Sequence, residues 1–212
     1  MKEIFILGVG HNTPVYIDLV EACGYTVAGL YHYDEELVGT DIHGYQIIGS
    51  NKDLFSQLSL AGANFALSMG DNSLRLQLAD KIRNLGGYIP RLIHPSSIIQ
   101  KFVTLEEGVI IHANCVVQSD AFIGHDTVIS YNVGISHNTK IDFGCYIACQ
   151  SIIGAYVNIK TGTLIGVGCT VASGKVSHIG PNAIVGAGSV VTKPVEENAI
   201  VVGNPARLLI KK

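Results

Sequence analysis

Two histidines sit in closely similar six-residue phrases, His125 in "AFIGHD" (residues 121–126) and His137 in "VGISHN" (133–138). Histidine is the side chain whose ordinary pKa lies nearest neutrality, so either imidazole is a candidate general base. A base works best when its second ring nitrogen is held by a partner. His125 is followed by Asp126, whereas His137 is followed by Asn138. On the repeat alone, a solvated corner is the simpler reading of His137. His112 and His178 read as a corner and a loop residue. Near the N-terminus, "GVGHNT" (8–13) places Gly8 and Gly10 in a tight turn after a strand. Thr13 stands where a dinucleotide fingerprint has its third glycine. "GDNSLR" (70–75) puts Gly70, Asn72 and Arg75 at a helix start, where a phosphate is a natural ligand.

These groups must be positioned by two halves of different period. Residues 1–93 alternate strand-like and helix-like segments. "EIFILG" (3–8), "YTVAGLY" (25–31), "NFALSMG" (64–70) and "YIPRLI" (88–93) read as strands, and "YQIIG" (45–49) is a short apolar run. "PVYIDLVEACG" (14–24), "KDLFSQLSL" (52–60) and "SLRLQLADKIRNLGG" (73–87) read as helices, the last capped by Asp71 or Asn72. The order predicts a Rossmann-like parallel sheet covered by helices. Residues 94–212 follow another rule. From residue 97 the chain divides into thirteen consecutive sixes, "SIIQKF" to "CTVASG". The third place is always Ile, Leu or Val, and the first is always Ser, Thr, Ala, Val or Cys. A fixed period means a solenoid, here with three sixes to a triangular turn. The phase slips by two residues at "GKVSH" (174–178), which predicts a loop bulging from one corner. The five cysteines form no C-x-x-C pair, and Cys115, Cys145 and Cys169 occupy the small first place as core filler.

Composition narrows the partners. Lys and Arg number 14 against 17 Asp and Glu, without a basic block, which argues against nucleic acid and anionic membranes. Only the terminal Lys211–Lys212 is locally basic. Five apolar residues after Glu3 are too few for a secretory or membrane-spanning segment, so a cytoplasmic protein is expected.

The hexapeptide ladder resembles the left-handed β-helix of acyl-CoA-dependent acyltransferases. The tail "IVGAGSVVTKPVEENAIVVGNPARLL" (184–209) is very similar to the end of many of them. With its α/β N-terminal half, the chain resembles the sialic acid O-acetyltransferase and bacillosamine-pathway N-acetyltransferase group, which acetylates sugars or nucleotide sugars for surface glycans. "NFALSMGDNSLR" and "RLIHPSS" add to the match. The resemblance implies a left-handed coil, a homotrimer, acetyl-CoA as acyl donor and a direct transfer without a covalent enzyme intermediate. It matches "ISHNTKI" (135–141) to the family's base motif and so implies His137 as the base. Asn138 stands at the acidic position, and Tyr146 replaces a second histidine nine residues on. Residues eighteen apart stack, so Asp120, under Asn138, is the expected substitute carboxylate. Ser119 and Ala155 flank His137 in the stack, and the Ala155 N–H is expected to face the thioester carbonyl. Tyr146, Gly166, Ser173, Gly186 and Pro205 are the other expected acetyl-CoA contacts. The resemblance also implies that Gly8, Gly10, His11, Asp34, Glu35, Gly70, Asn72 and Arg75 meet the nucleotide sugar in a domain spanning 1–93, while the β-helix of 94–212 transfers the acyl group. Two readings from other classes stay open. One is a catalytically silent sugar-nucleotide-binding scaffold. The other is a zinc enzyme of the γ-carbonic anhydrase kind, which would need three converging histidines; no metal ligand set is expected here.

Overall fold

The computed structural model describes residues 2–209; Lys211–Lys212 lie outside them. The chain divides into two compact units, Met1–Leu92 and Ile93–Lys212.

The first unit holds β1 (Lys2–Leu7), α1 (Thr13–Ala22), β2 (Tyr25–His32), β3 (Asp41–Ile42), β4 (Tyr45–Ser50), α2 (Asn51–Phe55), β5 (Phe65–Leu67) and α3 (Asn72–Asn84). The sheet order is β3-β4-β2-β1-β5. All neighbours are parallel except the β3–β4 pair. Leu7, Leu54, Phe65, Leu67, Leu78 and Ile82 form part of its core. The Asp71 carboxylate caps α3 by accepting from Leu74 N at 2.8 Å. Ser50 and Asp53 close a capping box on α2.

Three elements differ from the expectation. The short run at 45–49 pairs with β3 in an antiparallel ribbon, because Asp41 turns the chain through its bond from Gly44 N. The helix expected over 52–60 stops at Phe55. Ser56 Oγ takes the Asp53 carbonyl, and Leu58 lies in solvent with nothing to bury it. The strand expected over 88–93 makes only a single bridge, Asn64 with Tyr88. Leu92–Ile93 instead begins a sheet of the solenoid.

The solenoid is a left-handed parallel β-helix of three sheets, built from two-residue strands that end on the aliphatic third place. On the first face Val116 pairs with Gly134 and Gly134 with Ile152, eighteen residues apart at each step. The second face runs Phe122, Lys140, Asn158, and the third Val128, Tyr146, Leu164. Each third-place side chain from Ile111 to Val171 is buried in one continuous axial core. Two further features close the triangle. The sixth place turns the corner with positive φ, which suits Gly, Asn and Asp, as at Asn114, Asp120, Asn138 and Gly144. The first place does more than fill space. Thr139 Oγ1 donates to Gly154 O (2.8 Å), Ser151 Oγ to Gly166 O (2.8 Å) and Cys145 Sγ to Lys160 O (3.1 Å), so hydroxyl and thiol alike satisfy corner carbonyls. Burial pushes the Cys115 and Cys169 thiols up, which keeps them protonated donors.

The predicted loop is present. Asn158 pairs with His178, twenty residues on, so two extra residues leave the corner at 173–177. A compensating loss follows, because Ile179 meets Val195 and Ile184 meets Ile200, sixteen apart.

Candidate active site

His137 sits at the corner that joins the first face to the second, as an exposed fifth-place residue. Its Nδ1 lies 2.9 Å from Asn138 Oδ1. An amide oxygen only accepts, so Nδ1 carries the proton and Nε2 keeps its lone pair. Asn138 therefore does two things. Its φ of 56° turns the corner, and its side chain sets the tautomer that a base needs. Asp120 stacks one rung below, also at positive φ, but its carboxylate is not the partner of the ring. Asn138, beside the ring, is the residue that meets its Nδ1.

The column of side chains preceding this corner tapers upward. Gln100 Oε1 accepts from Ser119 N at 3.1 Å, and Gln118 Oε1 from His137 N at 3.1 Å. The next rungs carry Ser136 and Gly154, too short to continue the pattern. The Ala155 N–H is met instead from above, by Ser173 Oγ at 2.9 Å. The Ala155 N–H thus lies one rung above His137 and is already engaged by a serine hydroxyl. Gly154 lets Ser173 come this close, since a Cβ there would stand 2.5 Å from Ser173 N. On the adjoining face a groove of about 380 Å³ runs past Val116, Gln118, Gly134, Ser136 and Ile152. Gly134 opens it: the outward second place on the rungs around it carries Val116 and Ile152. A thin flexible chain fits such a slot.

The remaining expected residues scatter. Tyr146 lies on the third face, opposite the His137 corner. Gly166 and Gly186 are packing positions, where a Cβ would stand 2.6 Å from Ala187 N and from Val202 Cγ1. Pro205 is exposed and follows a cis bond from Asn204. His125 has the stronger partner, with Nδ1 2.9 Å from the buried Asp126 Oδ2, and its ring stacks on Phe143 at 4.8 Å. It stands at the corner between the second and third faces, away from the groove. His112 is not a corner residue. It is buried, and burial followed by the neighbouring His94 lowers its pKa to about 4. Among the described residues no three His, Cys, Asp or Glu side chains converge, so the zinc reading gains no support.

In the first unit, Gly8, Gly10, His11, Asp34, Glu35, Gly70, Asn72 and Arg75 all gather at the carboxyl edge of β1, β2 and β5, where parallel sheets take ligands. Several are committed elsewhere. The Gly10 N–H donates to Thr13 Oγ1 at 2.7 Å, so the residue that broke the glycine pattern occupies the turn. Arg75 is only 1% exposed and donates to Asn72 Oδ1 (2.8 Å) and Met69 O (3.3 Å). It braces the loop after β5 through these bonds. Asp34 accepts from Glu36 N at 3.0 Å, and Glu35 pairs with Lys52 at 3.2 Å. Gly8, at φ 98°, has Met69 Cε 2.6 Å from where a Cβ would lie. His11 and Gly70 are exposed.

Fold and site define a class, a small α/β unit followed by an acyltransferase-type hexapeptide β-helix. Residues 3–82 match the PglD N-terminal domain model. The whole chain is similar to PerB from Caulobacter crescentus, solved with CoA and GDP-perosamine, at 29% identity and a TM-score of 0.89; the match covers 99% of this chain and 98% of that one. A variant of the Caulobacter perosamine N-acetyltransferase with one histidine replaced by asparagine matches at 28% identity and a TM-score of 0.90, over 100% and 98% of the chains. The acetyltransferase domain of PglB from Neisseria gonorrhoeae, solved with acetyl coenzyme A, shares the fold at 24% identity and a TM-score of 0.88, over 98% and 99%. Over its whole length the chain is thus similar to hexapeptide-repeat sugar N-acetyltransferases, and its first unit to the PglD N-terminal domain.

Proposed function

We propose that the protein transfers the acetyl group of acetyl-CoA to an amine or hydroxyl of a nucleotide-linked sugar, with His137 as general base. One observation carries this reading: Asn138 holds Nδ1 of His137 and leaves Nε2 free, one rung below the Ala155 N–H. The acceptor nitrogen or oxygen attacks the thioester carbonyl carbon while His137 Nε2 takes its proton. The carbonyl electrons move to oxygen, where the Ala155 N–H donates in place of its bond to Ser173 Oγ. The C–O double bond then re-forms, the C–S bond breaks, and the CoA thiolate takes the proton from the imidazolium. Every proton is accounted for without a covalent enzyme intermediate.

Acetyl-CoA-dependent sugar acetylation is supported by the relatives solved with CoA and GDP-perosamine. A GDP- or UDP-linked amino sugar destined for a surface glycan is the favoured acceptor. The N-terminal unit, through the turns at Gly8, His11 and Gly70, is its nucleotide-binding part. The groove at Gly134 and Ile152 suits the pantetheine arm. We assign a homotrimer, because the outward second places of the first and third faces are mostly apolar (Ile98, Val116, Ile152, Leu164, Ile184) while the second face shows Thr104, Lys140, Asn158 and His178 beside Phe122. No helix among the described residues is long and apolar enough to cross a membrane. Acetyl-CoA and nucleotide sugars are cytoplasmic metabolites, which supports action in that compartment.

The test is acetyl-CoA with a panel of GDP- and UDP-linked amino sugars, read by thiol release and by the mass gain of one acetyl group. His137→Ala is expected to lower kcat by about 10²–10⁴ while the fold persists. Unchanged turnover in the folded variant removes His137 from the mechanism. Binding of nucleotide sugar without any thiol release would favour the silent scaffold.

A further inference from the structure

We propose that Tyr156 is an acceptor-specificity residue, an aromatic platform on which the sugar ring lies while its amine or hydroxyl faces His137; this rests on the reading of His137 as the base. Tyr156 occupies the sixth place one rung above Asn138, with φ at 63°. That backbone suits glycine, asparagine and aspartate, and the same corner carries Phe102, Asp120, Asn138 and Gly174. A Cβ-bearing aromatic is strained there, so fold stability disfavours the residue. Phe102 and Tyr156 are the two aromatics at such a backbone position among the described residues, and of these Tyr156 stands against a histidine.

The ring repays the strain with little burial. Tyr156 is 64% exposed, and its ring meets His137 edge-on at 5.3 Å between centroids and 90°. A Cβ on Gly174, one rung above, would touch nothing within 4 Å, so the corner over Tyr156 is open. Strain retained without packing gain, beside a free imidazole nitrogen, points to a ligand. The acyl side of the base is taken by the Ala155 N–H and the groove past Gly134. The group lying by Tyr156 is then the one that brings the nucleophile. A pyranose presents a face of C–H bonds, which stacks on an aromatic ring as other apolar groups do.

Two variants separate the possibilities. Tyr156→Asn restores the corner's preferred residue type and removes the ring; Tyr156→Phe keeps the ring. With acetyl-CoA and the amino-sugar nucleotide that the wild type turns over best, Tyr156→Asn should raise the acceptor KM about tenfold. The KM for acetyl-CoA and the mass of the assembly should not change, the melting temperature should hold or rise as the backbone strain is relieved, and Tyr156→Phe should behave as the wild type. An acceptor KM within about twofold of wild type in Tyr156→Asn overturns the proposal. So does a parallel rise in both KM values, a lower melting temperature or a lost assembly, each of which marks a structural role. A wild type that acetylates no sugar nucleotide removes the acetyltransferase reading itself, and this proposal with it.

Discussion

Asn138 is the place to test whether a corner residue has become part of the catalytic apparatus. Its side chain makes the 2.9 Å contact to His137 Nδ1, while its backbone at φ 56° turns the coil. Replacing it by alanine would confound the two, because a Cβ without a polar group is strained at that φ by about 1–2 kcal/mol. Asn138→Gly removes the contact and keeps the backbone comfortable. The ring then loses one hydrogen bond, worth about 0.5–1.5 kcal/mol net, and the constraint that keeps the proton on Nδ1. Taken as about 1.5–3 kcal/mol of transition-state stabilisation, the two losses lower kcat/KM by about 10- to 100-fold. Steady-state thiol release over a range of acceptor concentrations, with a thermal melt of the same preparation, measures both sides. Asp120→Asn is the companion, expected to stay within about threefold of wild type because Asn138, not Asp120, holds the ring. An Asn138→Gly enzyme with full activity, or an Asp120→Asn enzyme that fails, would refute this account of how the base is oriented.

Further outcomes follow from the same coordinates. Gly154→Ala should destabilise the β-helix by about 2–3 kcal/mol, read as a lower melting temperature, because its Cβ would press on the Ser173 N and Val171 O backbone atoms, which cannot swing aside. Gly134→Val should raise the KM for acetyl-CoA with little change in melting temperature, since the new side chain fills the groove and meets only the mobile tip of Ile152, 2.9 Å from its Cβ. His112 should make the fold acid-sensitive. Its folded pKa of about 4 lies below the ordinary 6.5, so its neutral form is favoured by folding. The stability it contributes is whole above pH 6.5 and falls as pH drops toward 4, by at most about 3 kcal/mol. Melting at pH 7.5 and 5.0 should show a smaller loss in His112→Leu than in the wild type.

The β-helix was legible because its physics is local and periodic. Every third-place aliphatic from Ile111 to Val171 must point into one narrow core, and a six-residue period leaves no other face for it. The two-residue loop near Lys175 was equally visible as a break in phase. In the α/β half β1, α1, β2, β5 and α3 were readable from their patterns. Short segments such as 88–93 depend on partners that periodicity does not name, and Leu92–Ile93 joined the solenoid's sheet. For the site, the likeness of "ISHNTKI" to a known base motif pointed to the His137 corner, while the repeat told which residues stack above and below it, because residues eighteen apart must stack. Which atoms meet was decided by side-chain reach and backbone conformation. Asn138, not Asp120, holds the imidazole, since an adjacent residue at positive φ folds its amide back onto the ring. Ser173, not solvent, meets the Ala155 N–H, since Ser136 below it is too short to do so. Arg75 turned inward because Asn72 and Met69 offered it oxygen atoms within the loop. The repeat determined where groups stand along the coil. Only three-dimensional packing decided which of them touch, because contact depends on ångström-scale reach that a residue count does not contain.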